Sequence, residues 1–204
     1  MYKKENLYFI ALIPKRDLRE KINVFKNDFA NRFDSKKALK VYPHITLKAP
    51  FKLSINTHTA LVNWFSQLRI NQKSISLHLK NFGAFSNKNN PVIYVNPIVN
   101  NELQFMQKEI IASFSSFLPE DIHSVDIKFK PHITVAYRDL SSDMFSKAWQ
   151  EYRNKSFDAE FEVDAFYLLQ HDTKKWSIIS TYNLSQEVTA VKLNNNLANS
   201  EKIF

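Results

Sequence analysis

Lys40-Val-Tyr-Pro43-His44-Ile45-Thr46-Leu47 recurs 88 residues later as Lys128-Phe-Lys-Pro131-His132-Ile133-Thr134-Val135. With six His and seven Thr in 204 residues, composition alone predicts fewer than one His-x-Thr, and a repeated Pro-His-Ile-Thr tetrad marks a duplication. Working outward, the first half reads as strand 7–13, helix 15–33, strand 39–48, helix 56–69 and strand 74–82. Leu18, Ile22, Phe25 and Phe29 give its first helix one apolar face. After the turn cluster at 86–91 the second half repeats the order: strand 91–97, helix 101–117, strand 127–136, helix 141–154 and strand 160–169. A last strand is expected at 175–183. The fold class is therefore α+β, two duplicated βαβαβ units with halves at roughly 1–85 and 86–184. Residues 185–204, Asn-rich and weakly patterned, read as a flexible tail.

Composition removes several chemistries. A single glycine, Gly83, excludes dinucleotide-binding fingerprints and P-loops, which need several glycines to bring backbone close to phosphate. The absence of cysteine excludes disulfides, thiolate nucleophiles and Cys-based metal centres, and suits the cytoplasm. Lys and Arg number 28 against 20 Asp and Glu, a net charge of +8 that favours an anionic partner. The only N-terminal apolar run, residues 7–13, is too short for a membrane span and is closed by Pro14, Lys15 and Arg16. No membrane association is expected.

On a strand, residues two apart share a face. Tyr42, His44, Thr46 and Lys48 then point one way, as do Lys128, Lys130, His132, Thr134 and Arg138 in the second copy. Each strand buries an aliphatic face and offers an imidazole beside a hydroxyl. Two imidazoles titrating near neutrality can divide the roles of general acid and general base. Threonine hydroxyls can donate to phosphate oxygens, and nothing in such a scheme calls for a metal. Two His with no carboxylate at ligand spacing make a poor metal site, so neither metal nor cofactor is expected.

The paired His44-x-Thr46 and His132-x-Thr134, each after a Pro, resemble the motifs of the 2H phosphoesterase superfamily. Within it the chain is similar to the 2′-5′ RNA ligase-like proteins, or RNA 2′,3′-cyclic phosphodiesterases. The opening strand from Leu7 to Pro14, the stretch from His44 to Phe51, and Phe82-Gly-Ala-Phe85 before Pro91-Val-Ile-Tyr94 extend the likeness over most of residues 7–183. The resemblance implies a bilobal fold with pseudo-twofold symmetry around a central cleft. It implies metal-independent opening of 2′,3′-cyclic phosphates of RNA ends or nucleotides to 2′-phosphates. It casts His132 as the base on water, His44 as the acid on the leaving 3′ oxygen, and Thr46 and Thr134 as phosphate holders; the order of the histidines stays open. Ligation would be a weak reverse reaction. A cytoplasmic monomer is expected.

Many RNA cyclic phosphodiesterases of this kind carry an Arg five residues after the second motif histidine, where this chain has Tyr137, followed by Arg138. The shift flips the side chain to the other face unless a bulge or strand end intervenes. Tyr42, Lys48, Phe85, Lys130, Tyr137 and Arg138 are the further candidates for substrate contact, by charge or by stacking on a base. The third His-x-Thr, His171-Asp172-Thr173, lacks the Pro and reads as a hairpin turn. Two alternatives stand beside the main reading: a noncatalytic RNA- or nucleotide-binding module, and a 2H enzyme acting on another cyclic phosphate such as a nucleotide-sugar derivative.

Overall fold

Apolar runs bounded by Pro and Asn form the strands, and the amphipathic stretches between them form the helices. The computed structural model describes residues 5–184. In chain order it contains β1 (Glu5–Leu12), α1 (Arg16–Arg32), β2 (Ile45–Ser54), α2 (His58–Ser66), β3 (Ile75–Phe85), β4 (Val92–Pro97) and α3 (Asn101–Phe117). There follow α4 (Ser124–Ile127), β5 (Ile133–Ala136), α5 (Ser142–Tyr152), β6 (Asp158–Val163), β7 (Ala165–His171) and β8 (Trp176–Asn183). Side-chain oxygens start two of the helices: Asn100 accepts the Leu103 amide before α3, and Ser141 accepts that of Met144 before α5.

All eight strands join one antiparallel sheet in the order β6-β3-β4-β5-β2-β1-β7-β8. The order is symmetric about the β5–β2 seam. Each half-sheet centres on the first strand of one copy, β4 or β1, and borrows the third strand of the other, β3 or β7. The helices exchange likewise, with α1 against β5 and α3 against β2. The sheet is strongly curled. Only Asp164 joins β6 to β7, yet six inter-strand steps separate them in the sheet. Those steps would span roughly 29 Å in a flat sheet, and two peptide links reach only about 7.6 Å.

The helix-covered side carries the main core, with Tyr8, Phe29, Phe51, Phe65, Phe114, Tyr152 and Phe166 all buried. A second, small cluster of Phe9, Ala11 and Leu169, flanked by Val41, Tyr167 and Trp176, is separate from it. Gly83 lies opposite Tyr94 on the neighbouring strand, and a Cβ there would collide with the tyrosine ring. Among the described residues no helix is long and apolar enough to cross a membrane.

Three expected strands are corrected. Residues 39–44 and 127–132 are not strand: Lys37–Lys40 is a 3-10 turn and Ser124–Ile127 the short α4. Pro43 and Pro131 lack the amide a ladder needs, so each strand begins only after its motif histidine. The run expected at 160–169 is two strands split at Asp164, on opposite halves of the sheet. The expected tail at 185–204 lies outside the described residues.

Candidate active site

β2 and β5 meet at a single pair, Ile45 opposite Ile133, and diverge on either side. Both isoleucines are buried. Carrying that antiparallel register one residue each way sets His44 across from Thr134 and Thr46 across from His132. These four residues occupy the face opposite the isoleucines. All four line one cleft of about 340 Å³. The duplication thus delivers two crossed imidazole–hydroxyl pairs from one strand contact.

Each imidazole is held in the same way. His44 Nδ1 lies 2.6 Å from the Tyr42 carbonyl, and His132 Nδ1 lies 2.7 Å from that of Lys130. A carbonyl only accepts, so Nδ1 carries the proton in both rings and Nε2 is the nitrogen left for chemistry. Burial pushes both rings below their ordinary value. His44 falls to about 4, helped by the Lys26 and His132 charges and opposed by the Tyr42 carbonyl. His132 is lowered by burial against the pull of Lys130. Both shifts favour the neutral ring, with Nε2 unprotonated. An anion between them would reverse the balance and draw a proton in.

The rings are backed by aromatics one strand away. Phe9 of β1 packs on His44 at 4.9 Å, and its counterpart Tyr94 of β4 packs on His132 at 5.4 Å. The loop before His44 is clamped from two sides. The buried Lys26 Nζ of α1 donates to the carbonyls of Ala38 and Val41, at 3.1 and 2.9 Å, and burial lowers it to about 7. The Asp139 carboxylate, from the other copy, accepts from the amides of Lys36 and Lys37 and from the Ser35 hydroxyl. Burial opposes ionisation of Asp139, but these donors hold it below the usual carboxylate range.

Of the further candidates, Tyr137 and Arg138 line the cleft together. β5 stops at Ala136 and Arg138 takes a positive φ of 62°, so strand alternation no longer applies and the one-residue shift does not banish the arginine. The other four lie elsewhere. Lys48 was expected beside Thr46, but a register shift in the β1–β2 pairing buries Leu47 and Lys48 together. Its Nζ makes a fully buried ion pair with Asp126 at 3.0 Å, between Phe51 and Phe114. Tyr42 is 42% exposed outside the cleft, under the Arg19 guanidinium. Lys130 is exposed and contributes its carbonyl. Phe85 packs edge-on against His132 at 5.1 Å without joining the cleft lining.

Two cleft residues with side chains able to hydrogen-bond a ligand, His171 and Trp176, escaped the sequence reading, as did the apolar part of the lining, including Phe9 and Val41. The turn itself is at 172–175, where the Asp172 carboxylate accepts the amides of Lys174 and Lys175. His171 is the last residue of β7, paired with Trp176 of β8 at 5.0 Å between rings. A His–Trp pair flanking a four-residue turn was the available signal. A larger groove of about 730 Å³ runs between α3 and residues 122–130. No imidazole lines it. Among the described residues no group of three or more His, Asp or Glu side chains is placed to hold a metal ion.

A family model described as the 2′-5′ RNA ligase superfamily matches residues 14–175. A Bacillus pumilus protein named "Putative phosphoesterase" is 30% identical over 181 residues, 88% of this chain and 98% of that protein. Among solved structures, E. coli LigT complexed with 3′-AMP superimposes with a TM-score of 0.67 at 18% identity, covering 90% of this chain and all of that one. TT0787 of Thermus thermophilus gives a TM-score of 0.60 at 19% identity, over 89% and 99% of the two chains.

Proposed function

Since the chain belongs to the 2′-5′ RNA ligase superfamily, a family of phosphoesterases, we propose that its cleft opens 2′,3′-cyclic phosphates to 2′-phosphates without a metal. The observation that carries this is the crossed quartet: two imidazoles with Nδ1 tied to backbone and Nε2 free, each facing a threonine across one strand pair. The crystallised relative bound to 3′-AMP supports a nucleotide in this cleft. The cleft is complete within one chain, which supports action as a monomer, and the cysteine-free composition supports a cytoplasmic setting.

In the reaction His132 Nε2 takes a proton from water as the oxygen attacks phosphorus. His44, protonated on Nε2 once the anionic substrate has raised its affinity for a proton, delivers that proton to the departing 3′ oxygen. The P–O3′ bond breaks, the bond from water forms, and a 2′-monophosphate and a 3′-hydroxyl result. Thr46 and Thr134 donate to the non-bridging oxygens, where their hydroxyls meet the growing charge. Arg138 adds a cation at the rim.

The test is hydrolysis of an RNA oligomer ending in a 2′,3′-cyclic phosphate, and of the cyclic mononucleotides, with EDTA present. His44→Ala and His132→Ala run alongside. EDTA-resistant formation of a 2′-phosphate, lost in both variants, is the expected result. Binding without turnover would leave a recognition module instead, and loss of activity in EDTA would overturn the metal-free scheme.

A further inference from the structure

Trp176 separates two depressions. One is the cleft; the other is a groove of about 290 Å³ lined by Asn23, Leu39, Lys40, Tyr42 and Pro43. Val41 and Trp176 belong to both rims, so the two spaces adjoin across one wall. The wall is braced. Trp176 stands edge-on to Phe9 at 4.5 Å, and Phe9 in turn backs His44.

The groove has none of the chemistry of the cleft. It offers a cation, an exposed aromatic ring and an amide, with no motif histidine or threonine. Lys40 has no carboxylate partner among the described residues. Over the Tyr42 ring sits the Arg19 guanidinium at 5.4 Å, and Arg19 Nε is buried with no hydrogen-bond partner. Positive charge beside aromatic faces is the general means of holding single-stranded nucleic acid.

Resting on the function proposed above, we infer that this groove is a second nucleotide subsite, built for the penultimate nucleotide of an RNA strand whose cyclic end lies in the cleft. The terminal base stacks on Trp176, Lys40 meets the phosphodiester linking the two nucleotides, and Tyr42 receives the second base. The polarity is consistent. The departing 3′ oxygen belongs to the terminal ribose and is assigned to His44, and Trp176 is joined to His44, not to His132, through Phe9. An RNA end is then preferred over a free cyclic mononucleotide.

The experiment compares kcat/KM for adenosine 2′,3′-cyclic phosphate, for the diadenosine dinucleotide ending in that group, and for an eight-residue oligomer. The dinucleotide should exceed the mononucleotide by roughly tenfold or more, the value of one stacked base, and the oligomer should add little. Lys40→Glu should pull the dinucleotide-to-mononucleotide ratio toward one, and Trp176→Leu should raise KM for both. Equal rates on mono- and dinucleotide, or a ratio untouched by Lys40→Glu, would overturn the subsite. Turnover is not needed to judge it. Tryptophan fluorescence, with Trp176→Leu as control, reads binding of the 2′-phosphorylated mono- and dinucleotide. Tighter binding of the dinucleotide without hydrolysis of any cyclic substrate would keep the subsite and sink the phosphodiesterase reading. Equal affinities would sink the subsite.

Discussion

Ala38 and Asp126 occupy equivalent places, each six residues before a motif histidine, and the carbonyl of each accepts a hydrogen bond from a buried side chain of the preceding helix. In the first copy the donor is the Lys26 ammonium; in the second it is the Gln107 amide, at 2.8 Å from Asp126 O. The scaffolding is the same and the charge is not. Lys26 therefore bears on His44, while His132 has no such cation behind it and is lowered by burial. The copies also differ four residues after the histidine, where Lys48 and Ala136 stand. Lys48 is ion-paired with Asp126 in the core, and Ala136 needs no partner. A duplicated backbone has kept the geometry of two equal sites, while burial lowers both rings and the Lys26 charge adds to the lowering at His44 alone. Two groups pushed apart in this way are suited to opposite roles in proton transfer.

The hardest blow to this comparison is removal of either ring. His44→Ala and His132→Ala should each lower kcat by roughly 10²–10⁴, with the double variant little worse than the worse single. A single variant losing less than tenfold would show that one half works alone. Next is the core pair found only between the two copies. Asp126→Asn leaves Lys48 buried and unpaired and should cost about 3–5 kcal/mol in urea denaturation. Turnover per folded molecule should persist, because Lys48 lies outside the cleft; a selective loss of kcat would return it to the site. Thr46→Val and Thr134→Val should each cost about 10²–10³ in kcat, as other lost donors to a developing anion do. Strongly unequal losses would mean that phosphate sits off the pseudo-twofold axis.

The finest test converts one half into the other. Lys26→Gln keeps a donor to the loop carbonyls and removes the charge, so His44 should rise modestly from about 4, with burial, the larger cause, still holding it below its ordinary value. If His44 is the acid, the descending limb of the pH–rate profile moves to higher pH; if it is the base, the ascending limb moves. Stability offers a second readout of the same change. A ring with a depressed folded-state affinity binds its proton more readily when unfolded, so the parent protein loses stability as pH falls from about 6.5 toward about 4. Lys26→Gln should flatten that slope. An unchanged slope and unchanged limbs would mean that Lys26 does not act on His44.

Much of this site was legible in one dimension. The repeated Pro-His-Ile-Thr identified the four central residues, and the alternation of Ile45 with His44 and Thr46 told which face would be open. Lys48 defeated the same reasoning, because a register shift two residues further on turned the strand over, and nothing local announces such a shift. Arg138 was saved by a strand end that the β-branched run through Val135 hid. His171 and Trp176 were invisible as cleft residues, since what brings them there is the pairing of β7 with β1, across 160 residues of chain.

By itself the sequence determined the duplication, the α+β order of elements and the pair of His-x-Thr strands, because these depend on spacing and on the two-residue period of a strand. The tertiary structure alone decided that the third strand of each copy crosses to the other half-sheet. It also decided that Lys48 belongs to the core and that a tryptophan hairpin walls the side of His44. Those outcomes depend on which distant edges pair and on where the curl of the sheet brings them, and local sequence carries no record of either.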